Sequence, residues 1–409
     1  MENFNTVTVS LSNGLRAAIR HTPGGRVAYT GLVVNAGSRD EAPDAHGLAH
    51  FVEHTVFKGT RRRNSWHISN RMECVGGELN AFTTKEITAL YTVAPAGFVD
   101  RSADLLADLV AEASFPASEI DREREVVIEE INSYLDSPSD SVFDRFEEIA
   151  FEGSGLAHNI LGTPESVRSL KGSDCRAFVD RYYTPGNMAL YCSSPEDPKK
   201  AAAILERRFG HLDFPDNPPS RTPPPPMACF DRTIDEGGHQ AHTIMGTRIF
   251  GRNDPRRNAL FLLNNYLGGP GMNSRLNRVM RDKRGLCYTV ESMTALFSDC
   301  GQFLVYFGCD PESVKKCRKL VTREIDALAQ NSLSPARLEA IKQQYCGQLL
   351  VNSDNRENTA MSMGRSLLFY GKPFDVEQAA SQIREVSAEQ LREVAEMIAA
   401  TPLSVLTLT

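Results

Sequence analysis

SDCRAFVDRYYTPGNMALY, residues 173–191, and AEQLREVAEMIAATPLSVLTL, residues 388–408, share one plan. Each begins with an amphipathic helical pattern, passes through a Thr-Pro step and ends in an apolar strand pattern. Proline terminates the helix in both stretches and restricts the residue before it to extended geometry. The two Thr-Pro steps lie about half the length of the 409-residue chain apart. The pattern therefore predicts an internally duplicated chain.

A proline-rich stretch, HLDFPDNPPSRTPPPP at 211–226, separates the two halves. Such a sequence cannot continue a helix or a central strand, and it favours extended polyproline geometry. We therefore predict a first domain at 1–212, a linker at 213–228 and a second domain at 229–409.

Both halves begin and end with strand patterns and carry helical patterns between them. The strand patterns are TVTVSL, RVAYTGLVV and LNAFTTKEITALYTV in the first half, and HTIMGTRIF, CYTVESMTALF and QFLVYF in the second. Strands from both ends of a half can join one sheet against which helices pack. The predicted class is α+β: two homologous domains, each with a mixed, mainly antiparallel sheet and helices packed on one face. The alternative is two unrelated α+β domains with similar ends.

Composition excludes several classes of protein. The net charge of -7 argues against a nucleic-acid binder, which normally carries a basic surface. The sequence has no apolar run long enough to predict a membrane span. Its nine cysteines form no CxxC pair and its first residues carry no signal-peptide pattern, so reduced thiols and a cytoplasmic location are expected. The basic run Arg61-Arg62-Arg63 is expected to be a solvated turn.

The stretch HGLAHFVEHTVFKGT, residues 46–60, carries the chemistry of the first half. His50 and His54 are four residues apart and therefore lie on one face of a helix. Glu53 stays near that face, and the order HxxEH is a metallopeptidase pattern. A metal ion at such a site activates water, and a nearby glutamate can accept the proton. His46 is expected at the start of the helix. The alternative is a surface helix with incidental histidines.

A third metal ligand is expected in DREREVVIEEINSYLD, residues 121–136. Glu123 and Glu130 are seven residues apart and share a helix face. One of them can bind the metal while the other accepts a hydrogen bond from a ligating histidine. Spacing alone does not choose between Glu123, Glu129 and Glu130, and an ordinary charged helix face would show the same pattern.

Five segments in order, NTVTVSLSNGLR, NAGSRDE, HGLAHFVEHTVFKGT, GGELNAFTTKE and EREVVIEEI, resemble the catalytic domain of the pitrilysin, insulysin and mitochondrial processing peptidase family. These are inverzincin zinc peptidases, and the chain looks like a short, two-domain, bacterial-type member. The resemblance implies one zinc ion per chain, held by His50, His54 and Glu130. It implies Glu53 as the general base and Glu123 as a supporting carboxylate.

The same resemblance implies roles outside the metal helix. Asn80 and Ala81 would lie on an edge strand that a peptide substrate joins through backbone hydrogen bonds. The segment RLNRVMRDKRGLCYTVES resembles the family's distal Arg/Tyr element and places it at Arg281 and Tyr288. The arginine could hold a substrate carbonyl, and the tyrosine hydroxyl could donate to the oxyanion. The second half reads NALFLLNNYLGG where the duplicated helix is expected and has no HxxEH.

The function implied is that of a zinc metalloendopeptidase that hydrolyses oligopeptides or unfolded segments within a closed chamber. Short members pair subunits, so a homodimer is expected in which Arg281 and Tyr288 serve the partner's zinc site. A heterodimer with a related chain is the other arrangement. Two rival functions are a non-catalytic presenting or core subunit and a targeting-peptide processing peptidase. The complete set His50, Glu53, His54 and Glu130 favours an active enzyme.

Overall fold

The structure is a computed structural model, and it describes residues 6–214 and 220–409. Residues 215–219, in the first half of the predicted linker, lie outside the described residues. The chain divides into two compact units, neither of which is continuous in sequence. The first unit comprises Met1–Asn132, His158–Arg221 and Asn352–Asp375, and the second comprises Ser133–Ala157, Thr222–Val351 and Val376–Thr409.

Strands and α-helices account for most of the described residues. The strands are β1 (Thr6–Ser10), β2 (Arg16–His21), β3 (Val27–Val34), β4 (Glu78–Thr83), β5 (Thr88–Pro95), β6 (Met188–Ser194), β7 (Asp231–Ile234), β8 (Ala241–Ile249), β9 (Cys287–Leu296), β10 (Gly301–Cys309) and β11 (Ser404–Leu408). The first helices are α1 (Leu48–Thr55), α2 (Ser65–Glu73), α3 (Val99–Glu112), α4 (Ala117–Leu135), α5 (Pro138–Ala150), α6 (Pro164–Ser169) and α7 (Gly172–Tyr182).

The remaining helices are α8 (Pro198–Phe209), α9 (Arg257–Gly268), α10 (Val314–Gln330), α11 (Pro335–Ser353), α12 (Arg356–Tyr370), α13 (Val376–Arg384) and α14 (Ala388–Ala399). Short 3-10 turns occur at Ser38–Asp40, Val56–Lys58, Pro185–Asn187 and Pro311–Ser313, and a π-helical turn occurs at Asn277–Asp282.

The first unit is built on a six-stranded sheet in the order β1-β2-β6-β3-β5-β4. Only the β2–β6 pair is parallel among the described strands of this sheet, and the other neighbours are antiparallel. The parallel pair exists because β6 returns to the sheet after the helices of the first half. The strand β4 lies at one end of this strand order, at the edge that the resemblance implies for the segment containing Asn80.

The second sheet repeats this plan. Its order is β7-β11-β8-β10-β9, which matches β2-β6-β3-β5-β4 strand for strand. The β7–β11 pair is parallel and the other pairs are antiparallel, as in the first sheet. Each Thr-Pro step connects a helix to the returning strand, α7 to β6 and α14 to β11. The predicted duplication and the α+β class are confirmed.

Each sheet also takes a helix from the other half of the sequence. In the first unit, α12 packs on β2, β3 and β6. Ala360 lies in one apolar cluster with Val33 and Tyr191, and Met363 lies in another with Ala18 and Ala189. In the second unit, α5 packs on β8 and β11, with Phe146 against Ile244. The units therefore differ from the predicted boundaries 1–212 and 229–409, because an amphipathic pattern shows that a helix buries a face but not which sheet covers it.

Two further expectations concern the cysteines and the absence of a membrane span. All nine cysteines are free thiols, and seven of them are buried. Within residues 6–214 and 220–409, no helix is both long enough and apolar enough to cross a bilayer.

Candidate metal centre

The helix α1 presents two histidines to one side. It begins after Gly47, whose φ of 91° is a left-handed conformation that glycine adopts without strain. The rings of His50 and His54 have centroids 4.5 Å apart and meet edge to face. His46 precedes the helix, as expected, and its ring stacks on His158 at 3.9 Å. Four-residue spacing on one helical turn therefore brings two imidazoles together.

The helix α4 supplies a carboxylate to this pair. Glu130 Oε2 lies 3.8 Å from His50 Nε2 and 3.4 Å from His54 Nε2. Donor atoms of these three residues all lie within 4.8 Å of one another, and no other such group of three occurs among the described residues. Zinc ligands at about 2.0–2.1 Å in a tetrahedron are about 3.4 Å apart. The spacing and the two-nitrogen, one-oxygen donor set therefore fit a zinc ion with one open position.

Glu123 supports the site from behind His54. Its Oε1 accepts a hydrogen bond from His54 Nδ1 at 3.0 Å, and its Oε2 lies 2.7 Å from Lys58 Nζ. Burial raises the pKa of Glu123, but His54 and Lys58 outweigh burial and hold that pKa below 4.5. The carboxylate is therefore ionised, and it leaves Nε2 of His54 free to face Glu130. Glu129 is exposed and belongs to no such cluster.

The two histidines have different electrostatic surroundings. Burial, reinforced by the charge of His54, lowers the pKa of His50 to about 3. His50 is therefore neutral and can act as a ligand across the physiological range. Burial also lowers the pKa of His54, but the hydrogen bond to Glu123 and the charges of Glu130 and Glu53 outweigh it and raise that pKa above 6.5.

Glu53 lies beside the donor group with one oxygen free. Its Oε2 is buried and has no hydrogen-bond partner among the protein atoms. The pKa of Glu53 is raised above 4.5, mainly because the side chain is buried. Glu130 also raises this pKa, whereas the neighbouring Thr83 hydroxyl and His54 lower it. A buried polar atom without a partner needs a water molecule, an ion or a substrate to satisfy it. The carboxylate can therefore accept a proton at this place.

The edge strand β4 lies next to α1. Asn80 pairs with Tyr91 and Ala81 pairs with Leu90 on the inner side of the strand. Among the described residues no strand pairs with its outer side. Phe82 is partly buried against the apolar cluster that includes Ile87 and Ala89, in keeping with a core position. A free edge beside the donor group can accept an additional strand.

Comparison with known proteins decides the family. Residues 16–164 match insulinase (peptidase family M16), and residues 169–345 match the peptidase M16 inactive domain. An uncharacterised zinc protease of Streptomyces coelicolor is 33% identical over 94% of this chain and 85% of its own length. The chain belongs to peptidase family M16. The predicted family is therefore confirmed.

One further relative agrees in sequence, and two solved structures share the fold. The mitochondrial-processing peptidase subunit beta of Caenorhabditis elegans is 27% identical over 96% of this chain and 87% of its own length. A protease from Helicobacter pylori has the same fold, with a TM-score of 0.90 at 22% identity and 99% coverage of both chains. A peptidase M16 inactive domain from Pseudomonas fluorescens gives a TM-score of 0.90 at 19% identity, covering 99% of this chain and 98% of its own.

The two residues of the predicted Arg/Tyr element, Arg281 and Tyr288, lie in the second unit. Arg281 is exposed in the π-helical turn Asn277–Asp282, and Tyr288 is exposed on β9. The hydroxyl of Tyr288 donates to Asp310 Oδ1 at 2.8 Å. The roles of these two residues stay predictions.

One residue of this M16 site was missed in the sequence. Lys58 pairs with Glu123 and so completes the chain of contacts that ends on His54. It lies four residues after His54, in the 3-10 turn that follows the metal helix, so helical spacing does not predict its place. A lysine in FKGT has no chemical signature of its own, so only the position of Glu123 shows its role.

Proposed function

We propose that this M16 chain is a zinc metalloendopeptidase that hydrolyses oligopeptides or unfolded segments. The single observation that carries the proposal is the convergence of His50 Nε2, His54 Nε2 and Glu130 Oε2, with the buried, unpartnered carboxylate oxygen of Glu53 beside them. His50, His54 and Glu130 would hold the zinc ion, and Glu123 would keep His54 in the correct tautomer.

Each residue of the site would have its own role in peptide hydrolysis. When bound, a zinc ion supplies Lewis-acid polarisation of water and of a peptide carbonyl. Glu53 accepts the proton of the attacking water and later passes it to the leaving amine. Its burial favours the protonated carboxyl that must persist between these two transfers. Lys58 and Glu123 hold His54 in place throughout.

The substrate would bind as an added strand on β4. Consecutive residues of a strand point their backbone N–H and C=O groups to opposite sides, so of the neighbours Asn80 and Ala81 one would offer its backbone to the substrate and the other would pair inward with β5. Hydrogen bonds to a peptide backbone do not depend on its side chains, which fits a peptidase that accepts varied sequences. The closeness of β4 to α1 supports this docking mode.

We assign Arg281 and Tyr288 to the zinc site of a partner subunit in a homodimer that encloses a chamber. Their exposure in the second unit supports this assignment, because both side chains are available to a second chain. Mixing two inactive variants, Glu53→Gln and Tyr288→Phe, tests it. Mixed dimers would hold one intact site and restore about a quarter of wild-type activity. No recovery after subunit exchange, or activity from a monomer in sedimentation, would contradict it.

The proposed activity is tested with wild-type and Glu53→Gln protein against a set of internally quenched peptides. Both proteins are expected to bind about one zinc per chain, and the variant is expected to lose about 10²–10⁴-fold in cleavage rate. A chelator should abolish wild-type activity, and Glu129→Gln, on the exposed face of α4, should retain it. A zinc-loaded wild type that cleaves none of the peptides, alone or as a dimer, would contradict the proposal.

A narrower activity is supported by one relative, the mitochondrial-processing peptidase subunit beta. The chain would then be a targeting-peptide processing peptidase, or a subunit that works only with a related chain. Basic amphipathic presequence peptides in the same peptide set separate the two activities. Cleavage confined to those peptides would favour processing, and cleavage that appears only after a related chain is added would favour a heterodimer.

A further inference from the structure

The first turn of the metal helix α1 is capped by a buried carboxylate that lies outside the metal centre. The side chain of Glu41 is fully buried. Its Oε2 accepts a hydrogen bond from Gly47 N at 2.8 Å, and its Oε1 accepts one from Ala49 N at 2.7 Å. Gly47 has no side chain with which to cap the helix, so these amides depend on Glu41. The carboxylate therefore fixes the turn that leads directly into His50.

Glu41 is itself held on its other side. His158 Nε2 lies 2.9 Å from Glu41 Oε2, and the imidazole of His158 stacks flat on that of His46. Lys85 Nζ donates to the carbonyl oxygen of His158 at 2.6 Å. Ser166 Oγ donates to the carbonyl oxygen of His46 at 2.7 Å. The carboxylate therefore has little freedom to move, and neither has the start of α1.

The segment that carries Glu41 also joins the edge of the sheet. Residues 37–41, here called the connecting segment, pair with the turn between β4 and β5. Ser38 N donates to Thr84 O at 3.1 Å, and Arg39 N donates to Lys85 O at 2.8 Å. The Arg39 guanidinium forms a buried ion pair with Glu86 at 2.6 Å. The connecting segment therefore links the edge strand, at one end, to the first turn of the metal helix at the other.

We infer that Glu41 is a positioning residue for the metal centre. It holds α1 where His50 and His54 meet Glu130, and through the connecting segment it keeps that helix in a fixed relation to β4. A ligand set holds a metal tightly only when its supporting groups lock its geometry. This inference rests on the proposed zinc site but not on peptide cleavage, because zinc affinity reports it directly.

The test compares zinc affinity in two cap variants of the first unit. Glu41→Gln keeps the shape of the side chain but replaces one acceptor oxygen by an amide donor, which leaves one helix N–H unsatisfied. Asp197→Asn is the matched control, because Asp197 caps α8 through Lys199 N at 2.8 Å and Lys200 N at 3.4 Å. Zinc dissociation constants are measured by competition with a chromophoric chelator, and folding is followed by circular dichroism and urea unfolding.

Glu41→Gln is expected to weaken zinc binding about tenfold while the protein remains folded. Asp197→Asn is expected to lower the urea midpoint and leave zinc affinity within about twofold, since a distant cap does not couple to the site. Wild-type zinc affinity in Glu41→Gln, with only a lower urea midpoint, would overturn the inference and leave Glu41 as an ordinary helix cap.

If Glu41→Gln does not fold, His158→Phe carries the test. Phenylalanine keeps a ring against His46 and removes the hydrogen bond to Glu41, so zinc affinity is expected to fall in the same direction. Unchanged affinity in this variant would overturn the inference. A wild type that binds one zinc and cleaves no peptide would instead count against the proposed function alone, and the positioning role of Glu41 would stand.

Discussion

Glu123 Oε1 lies 3.0 Å from Nδ1 of His54, and this contact decides which ring nitrogen faces Glu130. With Nδ1 engaged, Nε2 lies 3.4 Å from Glu130 Oε2. The ion pair between Glu123 and Lys58 keeps the carboxylate charged and in place. The orientation of His54 is therefore set before any metal binds.

This relationship predicts that Glu123→Gln weakens zinc binding by about 10–100-fold, because the amide orients His54 less strongly than the carboxylate and makes it less basic. Chelator competition at neutral pH measures the change. Glu125→Gln, at an exposed position on α4, is the matched control and should bind zinc as the wild type does. Equal affinities in the two variants would show that Glu123 is only part of a charged helix face.

The helix α12 is predicted to need a glycine where it crosses the first sheet. A Cβ on Gly364 would lie 2.5 Å from Cδ1 of the fully buried Tyr191. Gly364→Ala should therefore lower the free energy of unfolding by about 1–3 kcal/mol through overpacking, although alanine favours the helix. Urea unfolding measures it.

Gly347 offers the matched control for that substitution. It lies inside α11, and a Cβ there would meet nothing within 4 Å. Gly347→Ala should raise the free energy of unfolding by about 0.5–1 kcal/mol, because only helix propensity changes. Stabilisation of similar size in Gly364→Ala and Gly347→Ala would mean that α12 leaves room for a Cβ between Gly364 and Tyr191.

The second unit is predicted to lose stability in acid through Glu324. Burial raises the pKa of this carboxyl, but hydrogen bonds and charges from Arg275 and Arg323 outweigh burial and hold the pKa below 4.5. A carboxyl with a lowered pKa stabilises the folded state above its unfolded value, and that stability is lost as the pH falls through the folded pKa. Stability should therefore decrease from about pH 5 downward.

Glu324→Gln tests this prediction by urea unfolding at two pH values. The substitution should cost about 1–3 kcal/mol near neutral pH, and less in acid, as the pH falls through the lowered pKa of the wild-type carboxyl and protonates it. Glu312→Gln, at an exposed position of the same unit, should change stability by less than about 0.5 kcal/mol at either pH. A cost for Glu324→Gln that does not depend on pH would contradict the assignment.

Local patterns in the sequence predicted the elements that position the site. The Thr-Pro steps at Thr184 and Thr401 indicated the duplication, and both connect a helix to the strand that returns to the sheet. The i,i+4 spacing of His50 and His54 placed both rings on one side of α1. In these cases the information lies within one element, so periodicity and chain breakers are sufficient.

Contacts between distant segments were harder to predict. The run Arg61-Arg62-Arg63 was expected to be a solvated turn, and this was wrong for Arg63, while Arg61 and Arg62 are exposed. Arg62 and Arg63 both bind the fully buried carboxylate of Asp108, and Arg63 is largely buried. The exchange of α5 and α12 between the sheets was missed for the same reason. A basic run or an amphipathic helix shows what kind of partner it needs, but not where in the chain that partner lies.

The central claim is that His50, His54 and Glu130 form one zinc site, and zinc stoichiometry tests it most directly. Equilibrium dialysis followed by metal analysis should give about one zinc per chain in the wild type and in Glu129→Gln, whose side chain lies outside the donor group. Glu130→Gln should lose most of this zinc at the same free concentration. Full zinc occupancy in Glu130→Gln, or its loss in Glu129→Gln, would contradict the account.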